Sequence, residues 1–336
     1  MNYRTLGRTG IRISEVGFGC GNVGGLMVRG VHQEQVQAMR RALELGVTYF
    51  DTASSYGNGQ SEANLGHALA VVRPQATIAT KVGVRPADMG DLRGVIERSV
   101  AASLDRLGRD SVDILYLHTG IGMERGWGGR DTLSVGDVLG PGGVADVFDS
   151  LRARGLARFF GFTANGETQA LNRVVDSGRF DLFQMYYNLL NPSAGVQAPA
   201  GFPAHDFQRL IDRAQTRNIG VVVIRVLAGG ALGGPEARAG YASPMTGGAM
   251  VPGGEYAADE ERASVLRFIV EEGIAPSLPQ AAVRFALMHA GVSTVLVGIS
   301  NLAQLEEAVA ASSAGPLPDH VLERLQRLWA TDFGRA

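Results

Sequence analysis

Lys81 is the only lysine among 31 basic residues; every other fixed cation is an arginine. Codon bias in a GC-rich genome explains the thinning and fits the abundant Ala, Gly and Val, but not where the survivor stands. A compact ammonium fits a small buried space and shifts its pKa there, as a planar guanidinium does not. Lys81 ends the β-branched run Thr77-Ile78-Ala79-Thr80, just before Gly83, so it reads as a charge at the end of a buried strand. Asp51 ends a second such run, His118 ends a third, and Tyr56 follows Asp51 by five residues. An Asp, a Lys, a Tyr and a His that converge make a proton-transfer site. A tyrosine hydroxyl, with a pKa of about 10, is a weak acid near neutrality. A neighbouring ammonium is expected to lower that pKa, a carboxylate to hold the ammonium, and a neutral imidazole to orient a carbonyl oxygen. Each residue singly also has a structural reading: Asp51 as a cap, Tyr56 as a loop aromatic, His118 as a satisfied rim histidine, Lys81 as a rim charge. Their joint placement on three consecutive strand ends is what points to chemistry.

The elements that must position them are short apolar runs alternating with amphipathic segments. Strands are predicted at 16–19, 47–51, 77–81, 112–118, 159–162, 182–186, 220–226 and 293–297, and helices at 34–45, 94–107, 145–154, 207–217 and 260–272. Gly46, Gly108 and Gly155 follow three of these helices, as C′ glycines do. Eight strands alternating with helices predict a (β/α)8 barrel, a TIM barrel, in one domain spanning 1–336. A doubly wound sheet would set a Gly-rich turn and a helix directly after its first strand. Gly17, Gly19 and Gly21 match that loosely, but no helix follows at once. Residues 2–14 read as a hairpin that plugs the barrel's bottom. Three long connections, 119–143, 189–203 and 227–259, follow strand C-terminal ends, the face where such barrels carry function.

Composition narrows the classes. The 336 residues are 45% hydrophobic with net charge −2, enough for a large core and without the basic stripe of a nucleic-acid or membrane binder. A single cysteine, Cys20, excludes an internal disulfide and a cysteine zinc site, so no metal is expected. No apolar run reaches the ~18 residues needed to span a bilayer, and the N-terminus has no apolar signal region, so a cytoplasmic location is expected. Nothing in the sequence reports oligomeric state.

Several motifs together resemble the aldo-keto reductases, over nearly the full length. They are Leu6-Gly7-Arg8-Thr9-Gly10 with Gly17-Phe18-Gly19; Phe50-Asp51-Thr52-Ala53-Ser54-Ser55-Tyr56-Gly57 with Ser61-Glu62 and Leu65-Gly66; Ala79-Thr80-Lys81; and Leu115-Tyr116-Leu117-His118. The resemblance implies hydride transfer between C4 of a nicotinamide and a carbonyl carbon of an aldehyde, ketone or sugar. Tyr56 would be the proton donor, Lys81 and Asp51 would tune it, and His118 would position the carbonyl. It also implies a cofactor set: Gly19, Cys20 and Asp51 near the first strands; Thr163 and Gln184 for the carboxamide; Leu227 and Gly229 near the pyrophosphate; Gly298, Ser300, Gln304 and Glu307 at the adenosine end. Arg225, unusual at its place, has two readings, as a further pyrophosphate contact or as half of a salt bridge within the barrel. The chain departs from the pattern at Ala164, where an Asn is common, and near Ile224, where an aromatic often underlies the nicotinamide. Family habit favours NADP(H). Residues 298–308 hold no Arg or Lys for a 2′-phosphate, which leaves NAD(H) open.

The lone lysine also admits a Schiff-base aldolase with Lys81 as nucleophile, although Asp51 nearby would raise its pKa. A non-catalytic, cofactor-sensing subunit of the same fold is a third reading, against which the full tetrad weighs. For the substrate, Tyr56, His118 and Trp127 are candidates. Met123, Phe202, Tyr241 and Met245 are possible apolar walls, and Arg125, Arg130, His205 and Asp206 possible polar ones.

Overall fold

In the computed structural model, which describes residues 1–234, 238–243 and 255–335, eight parallel strands close into a barrel. They are β1 (Val16–Gly19), β2 (Tyr49–Asp51), β3 (Thr77–Val82), β4 (Val112–Leu117), β5 (Ala157–Thr163), β6 (Leu182–Tyr186), β7 (Gly220–Ile224) and β8 (Thr294–Gly298). Neighbours in sequence are neighbours in space, and β8 pairs with β1 to complete the ring. The expected (β/α)8 architecture and all eight strands are present. The seventh strand stops at Ile224 instead of 226, because Arg225 turns to φ 52° and leaves the extended region.

Alternation along the strands sets the layers. Side chains two residues apart share a face. Tyr49, Ala79, Ile114, Tyr116, Leu182, Val222 and Leu296 pack into the barrel's interior with Leu6 and Ile13. Two residues further on, the same inward face carries Asp51, Lys81, His118 and Gln184. The apolar interior layer thus dictates that a polar layer caps it. Outward residues such as Phe50, Ile78 and Leu115 join the larger core between strands and helices.

The predicted N-terminal hairpin is also found: Tyr3–Thr5 pairs antiparallel with Arg12–Ser14. Its turn presses against the barrel floor. A Cβ on Gly7, whose φ is 49°, would lie 2.2 Å from the Gly220 amide nitrogen, so only glycine fits. Two of the expected helices change most. The expected 260–272 helix is two, Tyr256–Val265 and Phe268–Glu271, and 207–217 shortens to Leu210–Gln215 because Gln208 and Arg209 have positive φ. Within the 119–143 connection lie the strand pair Ile121–Gly122 with Leu133–Ser134 and a helix, Val135–Leu139, started by a capping box of Ser134 and Asp137. The Ser-x-x-Asp spacing is a legible signal for that helix start. Among the described residues no helix is long and apolar enough to cross a membrane.

Candidate active site

The top layer is assembled by strand register. Asp51 stands beside Gly19 and Ala79, Lys81 beside Tyr116, and Gln184 beside Thr163. Lys81 is 1% exposed and Asp51 3%, so this is a buried ion pair. The Lys81 ammonium donates to Asp51 Oδ1, to the Thr52 carbonyl at 2.7 Å and to the Tyr56 hydroxyl at 3.3 Å. Its three donors are therefore all engaged. Asp51 Oδ2 accepts from Gln184 Nε2 at 2.6 Å, which fixes the carboxylate from the opposite side of the barrel.

Tyr56 comes from the loop after β2, which folds back over the rim. Gly57 and Asn58 adopt positive φ, and the Gly57 amide donates to Asn22 Oδ1 at 3.2 Å. The helix that follows, Gln60–Val72, is pinned to the barrel. Buried Glu62 accepts from Thr80 Oγ1 at 2.5 Å and pairs with Arg106, and Ser61 Oγ donates to the Cys20 carbonyl at 2.8 Å. His118 meets the Tyr56 ring edge-on at 5.8 Å between centroids, and its Nδ1 lies 3.3 Å from Ser55 Oγ. The predicted four residues are thus in one cluster, with Thr52 and Ser55 as neighbours not expected there and Gln184, expected at a carboxamide, bonded to Asp51. Beneath them, the buried hydroxyls of Tyr49 and Tyr116 meet at 2.8 Å.

Electrostatics refine the expected roles. Burial works to lower the Lys81 pKa, but Asp51 and Tyr56 outweigh it and hold it above the ordinary lysine value. Lys81 is an ammonium. Burial raises the Asp51 carboxyl, against the pull of Lys81 and Gln184. Tyr56 departs from expectation: its net shift is upward from 10.0. Burial is the largest cause; Lys81 pulls the phenol down, but Asp51 pushes it up. Desolvation of a phenolate exceeds what one ammonium, itself shared with a carboxylate, returns. His118 is pushed down to about 3, by burial first and by the Lys81 charge second, so it is a neutral imidazole.

A cleft of about 470 Å³ opens over the cluster. Tyr56, His118, Thr163 and Gln184 line its centre. Arg225, Leu227 and Gly229 line one flank, and Gly298, Ser300 and Gln304 the far end. Thr163 Oγ1 is buried and has no hydrogen-bond partner, a polar atom left for a ligand. The loop after β1 closes on the turn after β8, where a Cβ on Gly24 would lie 2.4 Å from the Ile299 amide nitrogen. Cys20 does not line the cleft; it is buried, its thiol pKa raised by burial, and its amide donates to the Asp51 carbonyl at 2.9 Å. Nor does Glu307, whose carboxylate accepts from Ser277 Oγ at 2.5 Å. Gln304 Oε1 is turned to Ser300, accepting from its amide at 2.9 Å and its hydroxyl at 2.8 Å. Arg225 stacks over the Tyr186 ring, 4.4 Å from its centroid.

The segment 238–243 crosses the same end of the cleft. The Ala239 amide donates to Ser300 Oγ at 3.1 Å and Tyr241 OH to the Ser300 carbonyl at 2.7 Å. The Ser243 amide reaches the Val23 carbonyl at 3.0 Å. Arg238 also lines the cleft, its guanidinium donating to the Gly230 carbonyl and to Tyr256 OH. Only this tertiary approach relates the segment to the turn after β8.

Most proposed substrate walls are structural. Arg125 forms a two-pronged ion pair with Asp137, at 2.5 and 2.7 Å, and Trp127 packs edge-on against His205. His205 Nε2 lies 2.8 Å from Thr168 Oγ1, and Asp206 Oδ1 accepts from the Gln208 amide at 2.8 Å. Met123 and Phe202 pack on the core. Met245 lies outside the described residues. Arg130 is the exception: with Arg85, Asp88 and Asp131 it lines a second, polar cavity of about 750 Å³ that borders His118.

The model of the "Aldo/keto reductase family" matches residues 15–330. L-galactose dehydrogenase of Arabidopsis thaliana is 29% identical over 321 residues, covering 93% of this chain and 88% of the relative. L-glyceraldehyde 3-phosphate reductase of Escherichia coli O157:H7 is 28% identical, covering 93% and 87%. In fold, the chain is similar to an aldo-keto reductase from Bacillus halodurans in its holo form. The TM-score is 0.70 at 24% identity, with 98% of this chain and 96% of that one covered. With the barrel, the rim cluster and a family match across nearly the whole chain, the protein belongs to the aldo/keto reductase family of oxidoreductases.

Proposed function

We propose that the protein interconverts a small carbonyl compound, of the sugar or hydroxy-aldehyde kind, and its alcohol, using NADP(H), with Tyr56 as the proton donor. The observation that carries this reading is Lys81, a buried ammonium held between the Asp51 carboxylate and the Tyr56 hydroxyl. When bound, the nicotinamide supplies the hydride, or accepts it in the reverse direction. The residues fit such a group: Thr163 Oγ1 is an unpaired buried oxygen beside Gln184, suited to a carboxamide. The positive-φ glycines Gly229 and Gly230 let backbone approach a pyrophosphate closely.

The proton then has one route on this side. Tyr56, protonated across the neutral range because its pKa lies above 10, gives its proton to the carbonyl oxygen as negative charge develops there. Lys81, fixed by Asp51 and the Thr52 carbonyl, stabilises the phenolate left behind. His118, neutral, orients the carbonyl oxygen by a hydrogen bond and adds no competing charge. The names of the two relatives, a sugar dehydrogenase and a sugar-phosphate reductase, support a small hydroxylated substrate. An aldolase nucleophile would need a neutral amine, and Lys81 with a raised pKa is the opposite. The test is Tyr56→Phe assayed by nicotinamide absorbance. Turnover should fall by about 10²–10⁴ while NADPH affinity holds. Near-normal turnover would remove Tyr56 from the proton-donor role.

A further inference from the structure

His118 is the member of the rim cluster whose role depends on which ring nitrogen carries the proton. A neutral imidazole has one N–H, which donates, and one bare nitrogen, which accepts. The His118 amide donates to the Val82 carbonyl at 2.8 Å, and the ring stands edge-on to Tyr56. It lines both the central cleft and the second, polar cavity. Among the described residues, Nδ1 has Ser55 Oγ as its hydrogen-bond partner, at 3.3 Å, and Nε2 has none. Ser55 Oγ has no second partner among them. One short turn brings Ser55 and Tyr56 to the cluster together. The Tyr56 amide donates to the Ala53 carbonyl at 3.1 Å, and Ser54 Oγ donates to the Lys81 carbonyl at 3.1 Å, which ties the turn to the end of β3. Tyr56 then meets Lys81 and Ser55 meets His118.

We infer that Ser55 is a positioning residue: its hydroxyl donates to His118 Nδ1 and so leaves the proton on Nε2, the nitrogen free to meet the carbonyl oxygen. This rests on the carbonyl chemistry proposed above. In the opposite tautomer Nδ1–H would donate to Ser55, and Nε2 would turn a lone pair toward the carbonyl oxygen, acceptor against acceptor. Double protonation offers no way around the choice, because burial and the Lys81 charge keep the ring neutral. At 3.3 Å the contact is long for a hydrogen bond from a hydroxyl, so its effect is that of a single weak bond. Ser55 is exposed on the cleft wall, so truncating it leaves the core intact.

The experiment combines steady-state carbonyl reduction, followed by nicotinamide absorbance, with long-range proton–nitrogen NMR spectra of histidine-labelled protein. His118→Ala identifies the His118 signals among the six histidines. In wild type the spectra should place the proton on Nε2 and leave Nδ1 bare. Ser55→Ala should lower kcat by about 2–10-fold, as for loss of one neutral hydrogen bond, with KM changed less than about twofold. Its Nδ1 signal should move toward that of two exchanging tautomers. Ser55→Thr keeps the hydroxyl and should restore both kcat and the signal. A proton on Nδ1 in wild type overturns the inference, as does unchanged kcat in Ser55→Ala, or a lowered kcat with an unmoved Nδ1 signal. Wild-type protein that reduces no carbonyl with NADPH would instead refute the carbonyl reading, while the spectra still decide the tautomer.

Discussion

Replacing Lys81 by methionine tests the centre of the site, because an unbranched side chain of similar reach remains while the charge and its three donors go. The change removes the ammonium that faces Asp51, Tyr56 and the Thr52 carbonyl. Asp51, 3% exposed, keeps Gln184 Nε2 as its side-chain donor. Breaking a buried pair from one side costs about 3–5 kcal/mol, because the remaining charge stays desolvated. The cost should depend on pH in a fixed direction. Burial already lifts the Asp51 pKa, and loss of Lys81 lifts it further. A carboxyl with a folded pKa above its unfolded value stabilises the fold fully below the unfolded pKa, near 4, and that contribution is lost as pH rises through the folded value. The penalty should therefore be larger at pH 8 than at pH 5. Adding Asp51→Asn removes the stranded charge and should return most of the stability at pH 8, leaving about 1 kcal/mol for the lost bond to the Thr52 carbonyl. Turnover should fall in Lys81→Met and stay low in the double variant. Urea unfolding followed by far-UV circular dichroism measures the first effect, nicotinamide absorbance the second. A penalty below about 1 kcal/mol, one independent of pH, or one that Asp51→Asn leaves unchanged refutes the buried-pair account.

Thr163→Val should leave apo stability unchanged or slightly raised, since Oγ1 has no partner to lose, and should weaken cofactor binding several-fold; unaltered affinity on titration places the carboxamide elsewhere. With His118 pushed down to about 3 and Tyr56 raised above 10, carbonyl reduction should show no inflection near pH 6.5. An inflection there that disappears in His118→Ala would show that the imidazole titrates and is not neutral throughout.

The fold was legible because its signals are local and repeated. Eight apolar runs, each followed by a connection or helix, leave few topologies, and β-branched runs cannot slip register without turning their buried faces outward. The catalytic cluster was legible for a related reason. Asp51, Lys81 and His118 end successive strands, and in a closed parallel barrel successive strand ends meet at one rim. Helix ends were less legible: the positive φ of Gln208 and Arg209 shortens one helix, and nothing in those residue types announces it.

What the chain determined by itself was therefore the barrel, the rim residues and the kind of chemistry they suit, because strand alternation and residue type are properties of consecutive positions. The tertiary structure decided the rest. It kept Lys81 an ammonium despite burial, by enclosing it with Asp51 and Tyr56, and it raised Tyr56 where an adjacent cation alone predicts lowering, because burial acts on the whole group. It turned Arg125, His205 and Glu307 to structural partners. It also tied the Ala239 amide to Ser300 Oγ, 61 residues away in sequence. Desolvation and long-range approach depend on what the rest of the chain places nearby, which no run of neighbouring residues records.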